Sequence, residues 1–179
     1  MNKVHYSSNS TEWETPQYLF DYFNKSLFNF NFTLDVCATP NNTKCKKFFT
    51  KKDNGLNQDW GNETCWMNPP YGKEIRHWVK KAYESSESGA TVVCLLPSRT
   101  DTTWWHDYCM KAEIILIKGR INFLKRYIEK SGEAFLMNTS APFPSAIVIF
   151  EPNYGFKKYI PIISSQNIKT IKEKYYGEN

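Results

Sequence analysis

Thr64-Cys65-Trp66-Met67-Asn68-Pro69-Pro70-Tyr71-Gly72 is the stretch whose reading decides the architecture. Its first four residues read as a short strand. The two prolines lack N–H donors and would break a strand or a helix from inside. The strand therefore stops at Met67 and the chain turns. Downstream, Ile75, Trp78, Val79, Ala82 and Tyr83 recur at i, i+3, i+4, i+7 and i+8, the spacing of one helix face. Lys73, Arg76, Lys80 and Lys81 take the other side, and Gly89 is a natural stop. The Asn-Pro-Pro-Tyr corner thus lies between the carboxyl end of a strand and a helix, where open α/β sheets build their sites.

Working outward, Thr15-Pro16 reads as a helix start, with Thr15 capping and Pro16 at the first helical position. The helix that follows puts Leu19, Phe20, Phe23 and Leu27 on one side. Residues 32–36 and 48–50 read as short strands. Residues 90–96 form a continuous apolar run, as expected of a strand buried on both faces of a parallel sheet. Asp101 is placed to cap a helix carrying Trp104, Trp105 and Tyr108, and residues 114–117 and 146–150 are two more buried strands. Strands alternating with helices predict an α/β fold, a mainly parallel sheet with helices on both faces. Residues 1–151 form its body. Residues 152–179, polar and rich in lysine, form a final helix or a tail packed on the same domain.

A chain of 179 residues, 41% of them hydrophobic, suits one domain with a real core. No apolar run is long enough for a membrane span, and the first residues lack the apolar segment of a secretion signal. A cytoplasmic protein is expected. The five cysteines are odd in number and contain no CxxC pair, which argues against a disulfide framework or a structural zinc site; no metal is expected. The net charge of +5 permits a polyanionic partner without demanding one. Basic residues gather at Lys44, Lys46, Lys47, Lys51 and Lys52, and again at Lys118, Arg120, Lys125 and Arg126. Taken alone, such runs are solvated faces.

The corner suggests chemistry on an amine. A Pro-Pro turn has no donors of its own and leaves carbonyls free to accept, and Asn68 adds a side-chain oxygen. An aromatic amine such as adenine N6 is a poor nucleophile because its lone pair is delocalised into the ring. Two hydrogen bonds accepted by Asn68 and the Pro69 carbonyl favour a pyramidal nitrogen and localise the pair, with Pro70 stiffening the turn and Tyr71 offering a face for a base. Such acceptors act as preorganised electrostatics towards developing positive charge. The bland alternative is a Pro-Pro turn beside a packed tyrosine. The segment from Asp35 to Asn42 lacks the glycines that let backbone approach a phosphate. S-adenosylmethionine has no phosphate and needs hydrogen-bond acceptors instead. Asp35 with Ala38, Asp53 and Asp59 are the candidates, the last two equally readable as solvated loop carboxylates.

On these residues the chain resembles the phage-type DNA N6-adenine methyltransferases, small Dam-like proteins carried by phages and prophages. The resemblance rests on Trp13-Glu14-Thr15-Pro16, Leu34-Asp35-Val36-Cys37-Ala38, Asp53-Asn54-Gly55-Leu56, the Asn68–Tyr71 corner, the residues from Leu95 to Asp101 with Trp104-Trp105-His106, Lys118-Gly119-Arg120 with Phe123, and Ala141-Pro142-Phe143-Pro144-Ser145. It implies a Rossmann-like fold with S-adenosylmethionine as methyl donor and DNA as partner. By the same resemblance Asn68, Pro69, Pro70 and Tyr71 are the catalytic tetrapeptide, Thr15 and Pro16 touch the methionine end of the cofactor, and Asp35 and Ala38 match the first cofactor motif. Many Dam enzymes carry Asp where this chain has Asn68. Lys73, Arg99, Trp104 and Arg120 are the candidate DNA contacts, Trp104 with core packing as its rival role. The target base is expected to be flipped out of the duplex. With no large insertion to read sequence, a short recognition site or weak specificity is expected. The alternatives are a methyltransferase for cytosine N4, RNA or protein glutamine, and a catalytically inactive DNA-binding relative.

Overall fold

Helix α1 (Gln17–Lys25) leads to short strands β1 (Leu34–Asp35) and β2 (Lys47–Phe48), then β3 (Thr64–Met67), helix α2 (Ile75–Glu87), β4 (Thr91–Pro97), helix α3 (Thr103–Asp107) and β5 (Glu113–Lys118). An antiparallel pair follows, β6 (Asn122–Ile128) and β7 (Ala134–Ser140), and then β8 (Ser145–Phe150) and β9 (Ile162–Ser164). This computed structural model describes residues 13–25, 28–128, 134–152 and 162–164. Leu27 and most of residues 152–179 lie outside the described residues.

Seven strands make one sheet in the order β2-β1-β3-β4-β8-β5-β9, and β6 and β7 form a separate two-stranded sheet. Neighbours β1 and β2, β1 and β3, β3 and β4, and β5 and β9 run parallel, while β8 runs antiparallel to both β4 and β5. The sheet is mainly parallel, as expected. The exception has a connectivity cause: parallel neighbours need a long crossover, usually a helix, and between β5 and β8 the chain makes the β6–β7 ribbon instead. Ile162–Ser164, in the stretch read as helix or tail, adds an edge strand beside Leu116–Lys118.

Side-chain alternation places helices on both faces of the sheet. Phe20 and Phe23 of α1 pack on Trp66, with ring centroids 5.5 and 6.4 Å away. Tyr83 of α2 packs on Phe150. Phe150 lies across from Val92, and Val92 across from Cys65. Paired residues share a face and successive residues alternate, so Cys65 and Trp66 point to opposite faces and the two helices flank the sheet. Among the described residues no helix is long and apolar enough to cross a membrane.

Two local readings change. The Pro16 carbonyl accepts from the Leu19 and Phe20 amides, so Pro16 holds the N-cap position and not the first helical one. The Thr15 hydroxyl caps nothing and instead accepts from Asn68. Likewise Thr102, not Asp101, is the N-cap of α3.

Candidate active site

A cavity of about 470 Å³ opens at the carboxyl ends of β1 and β3, within the roughly 300–1,000 Å³ typical of small-molecule sites. Asn68, Pro69 and Pro70 form one wall. Thr15 from the segment before α1 and Asp35, Cys37 and Ala38 from the end of β1 form another. The corner is there because β3 must stop: its last hydrogen-bonded residue is Met67, paired with Cys94, and the prolines that follow cannot continue the ladder.

Asn68 is held at three points. Its Nδ2 donates to the Trp13 carbonyl at 2.6 Å and to Thr15 Oγ1 at 2.9 Å, and its Oδ1 lies 2.8 Å from the Tyr71 hydroxyl. That hydroxyl is also 3.0 Å from the Leu95 carbonyl and donates its one proton to either oxygen. Burial holds the Tyr71 phenol far above its usual range, so it stays a donor. Among the described residues no intramolecular bond is made to the Pro69 carbonyl, which leaves it available as an acceptor.

Tyr71 departs from the expected open stacking face. Only 6% of it is exposed. Phe143 and Phe123 meet it edge-on at 5.4 and 6.2 Å. The aromatic residues that do line the cavity are Trp13, Trp66 and Trp78, and Trp13 lies under the Lys125 ammonium at 4.7 Å.

Asp35 ends β1 with 4% exposure. Burial pushes its pKa up to about 6, although the Lys44 and Cys37 backbone amides and the Lys44 charge pull it down. Lys44 also lines the cavity, its pKa lowered by burial against the opposing pull of Asp35, Glu14 and Asp21. The Trp66 indole N–H is fully buried, belongs to a cavity-lining residue and has no partner among the described residues.

The other carboxylate candidates do not reach the cavity. Asp53 accepts from the Thr50 amide and hydroxyl, both at 2.7 Å, and so closes a turn; its neighbours Asn54, Gly55 and Leu56 line the cavity in its place. Asp59 accepts from the Gly61 amide in a shallow depression with Lys47 and Glu63. Pro16 does not line the cavity either. The candidate DNA contacts divide. Lys73, Arg99 and Arg120 are exposed, Arg99 just past β4 and Arg120 just past β5. Trp104 is 7% exposed and packs against Trp105 at 5.8 Å, so it belongs to the core and offers DNA no face.

Several lining residues escape the sequence reading: Lys44, Gly55, Trp66 and Trp78. Gly55 looks like one end of an ordinary turn, and Trp78 like one more residue of the α2 core stripe. The stripe position gave no sign of it: only the fold shows that Trp78, next to the fully buried Val79, stays half-buried beside Gly55. Among the described residues no group of three or more His, Cys, Asp or Glu side chains is placed to hold a metal ion, and all five cysteines are free thiols.

The family model described as DNA N-6-adenine-methyltransferase (Dam) matches residues 4–176. A DNA N-6-adenine-methyltransferase of Haemophilus phage HP1 is 36% identical over 167 residues, covering 90% of each chain. Another, of Escherichia phage T1, is 34% identical over 109 residues, which span 60% of this chain and 44% of that one. A match over nearly the full length, together with the Asn-Pro-Pro-Tyr corner on its cavity, places the chain in the DNA N-6-adenine-methyltransferase (Dam) family.

Proposed function

We propose that the chain transfers a methyl group from S-adenosylmethionine to the N6 amine of adenine in DNA, with Asn68 and the Pro69 carbonyl as the acceptors that prepare the amine. One observation carries this reading: the corner and the residues matching the cofactor motif, Asp35 and Ala38, line the same cavity. The donor chemistry of that cavity fits the cofactor. Asp35 can accept from ammonium or hydroxyl groups. The buried Trp66 N–H and Lys44 can donate to a carboxylate, and leaving a buried donor unpaired costs about 1–3 kcal/mol. The absence of a side chain at Gly55 lets its loop close against the Val36 carbonyl and the Trp78 ring, and the Trp78 indole, which lines the same cavity, offers a face for a flat ring.

When bound, S-adenosylmethionine supplies an electrophilic methyl group on a sulfonium sulfur. The chain's part is to orient and to polarise. Asn68 Oδ1 and the Pro69 carbonyl take the two N–H bonds of the amine and stabilise the positive charge that grows on nitrogen. The methylated nitrogen is strongly acidic, so no strong base is required of the site. Arg99, Arg120 and Lys73 supply phosphate contacts from the exposed rim. The body that carries this chemistry is residues 1–151.

Two measurements test the reading. With radiolabelled donor, label should enter DNA and not RNA or protein, and nucleoside analysis should return N6-methyladenine; N4-methylcytosine would sink the proposal. The second is the pH dependence of cofactor binding. A ligand that donates to Asp35 binds its ionised form, so affinity should rise with pH through about 6. By calorimetry the dissociation constant should be about tenfold weaker at pH 5 than on the plateau, and Asp35→Asn should remove the slope. A flat profile for the parent protein would exclude Asp35 from the cofactor contacts. The cofactor-free protein should show the opposite trend in stability. A carboxyl that keeps its proton up to about 6 when folded, and only to 3.8 when unfolded, favours folding below 3.8 and loses that advantage as pH rises through 6.

A further inference from the structure

An asparagine amide is almost symmetric in outline, but only its oxygen can accept from an amine. A carboxylate at the same place would present an oxygen whichever way it turned. A chain that uses Asn68 therefore needs something to fix which end faces the cavity. Both Nδ2 protons are committed, one to the Trp13 carbonyl at 2.6 Å and one to Thr15 Oγ1 at 2.9 Å. Turning the amide over would set its oxygen against the Trp13 carbonyl, two acceptors at 2.6 Å with no proton between them, so that carbonyl selects the end and Thr15 Oγ1 holds the second Nδ2 proton in place.

The segment that provides these two acceptors is itself pinned. The Glu14 amide donates to the Leu124 carbonyl at 2.9 Å, and the Leu124 amide returns a bond to the Glu14 carbonyl at 3.0 Å. Lys125, on the same strand, sits over the Trp13 ring. Residues 13–15 thus run as a third, single-bridge strand along β6, and Thr15, only 4% exposed, is buried between that ribbon and the corner.

We propose that Thr15 is a positioning residue for the reaction: its Oγ1, acting with the Trp13 carbonyl, fixes the Asn68 amide so that Oδ1 meets the target amine. The inference rests on the reading above that Asn68 Oδ1 is an acceptor for that amine. It gives the Thr-Pro segment a role distinct from the cofactor contact that family resemblance implies.

Thr15→Val keeps the shape and removes the acceptor, while Thr15→Ser keeps the acceptor. Losing one neutral hydrogen bond to the amide should lower kcat about five- to tenfold in the valine variant. The dissociation constant for S-adenosylmethionine and KM for DNA should stay within about twofold, and serine should recover most of the loss. In the ¹⁵N–¹H spectrum, the Asn68 side-chain pair, assigned by its disappearance in Asn68→Ala, should show one proton shifted upfield in Thr15→Val and a near-parent position in Thr15→Ser. In the Asn68→Asp variant, where both ends are oxygens, adding Thr15→Val should cost no further kcat. Parent-like kcat in Thr15→Val, unmoved Asn68 resonances, an equal penalty when Thr15→Val is added to Asn68→Asp, or a parallel loss of cofactor affinity would each overturn the proposal. Its failure is separable from failure of the parent reading: an Asn68→Ala enzyme that still turns over removes the acceptor role itself, whereas an inactive Asn68→Ala beside a fully active Thr15→Val removes only the positioning role.

Discussion

Asn68→Ala should lower kcat by about 10²–10³-fold, the range seen when one preorganised polar group is removed from a charge-stabilising site, while cofactor affinity holds within about threefold. The argument is geometric. Oδ1 is the side-chain acceptor of the corner residue that lines the cavity, and the amide is fastened by Trp13, Thr15 and Tyr71 before any substrate arrives. Alanine removes the acceptor and leaves the Pro69 carbonyl to act alone. Asn68→Asp is the informative companion. It restores an oxygen towards the cavity, so turnover should exceed that of the alanine variant. It also puts a second oxygen where Nδ2 now lies 2.6 Å from the Trp13 carbonyl, so it should fall short of the parent. Single-turnover rates with a methylatable duplex separate the three. Equal rates for parent and alanine variant would remove Asn68 from the chemistry.

Gly55→Ala should produce the second large effect, on stability and cofactor binding together. A Cβ at this position would lie well inside contact distance of the Val36 carbonyl oxygen and 3.2 Å from the Trp78 ring. Neither side can yield easily. Val36 is fastened at the end of β1 by its amide bond to the Trp66 carbonyl at 3.1 Å. Gly55 is fastened by the fully buried Trp60, whose indole N–H donates to its carbonyl at 2.9 Å. Overpacking of this kind costs about 1–3 kcal/mol, and for a chain of this size that lowers Tm by roughly 3–10 °C. The displaced wall belongs to the cavity, so the rise in Tm caused by S-adenosylmethionine should shrink with it. A scan with and without cofactor checks both. Unchanged Tm and an unchanged cofactor shift would mean that the loop relaxes freely and that Gly55 does not shape the site.

The parts of the molecule legible in the sequence are those where burial imposes a period. Helix α2 shows its buried face through Ile75, Val79 and Ala82, and β3 ends where the prolines begin. The direction of β8 was not legible. A strand buried on both faces gives the same apolar run whichever way it points, and only the missing crossover helix before it distinguishes the cases. The β6–β7 ribbon was hidden for a related reason. Its inward face alternates through Phe123, Lys125 and Tyr127, and the lysine at the middle position reads as solvated. The structure buries Lys125 to 8% exposure over Trp13, covering its aliphatic stem and leaving the ammonium on a ring.

At the site, the corner and Asp35 could be found because their chemistry is unusual for their local structure. Asp53 and Asp59 were open to two readings because a carboxylate next to a turn has two uses, and here both serve backbone amides nearby. Trp104 was likewise open to two readings. Of the two roles open to it, DNA contact and core packing, the short α3 gives it the second, with both tryptophan rings covered. Trp66 and Lys44 gave no local pattern, because what makes them cavity groups is the distance from their own segments to Asn68 and Asp35 in space.

The central claim is that one adenine amine is gripped by two oxygens of the corner. A crystal structure with S-adenosylhomocysteine and an oligonucleotide carrying the target adenine unmethylated tests it most directly. The account predicts a flipped adenine whose N6 lies about 2.7–3.2 Å from both Asn68 Oδ1 and the Pro69 carbonyl oxygen, with the cofactor product against Asp35 and Gly55. An adenine held elsewhere, or an N6 bonded to neither oxygen, would contradict it.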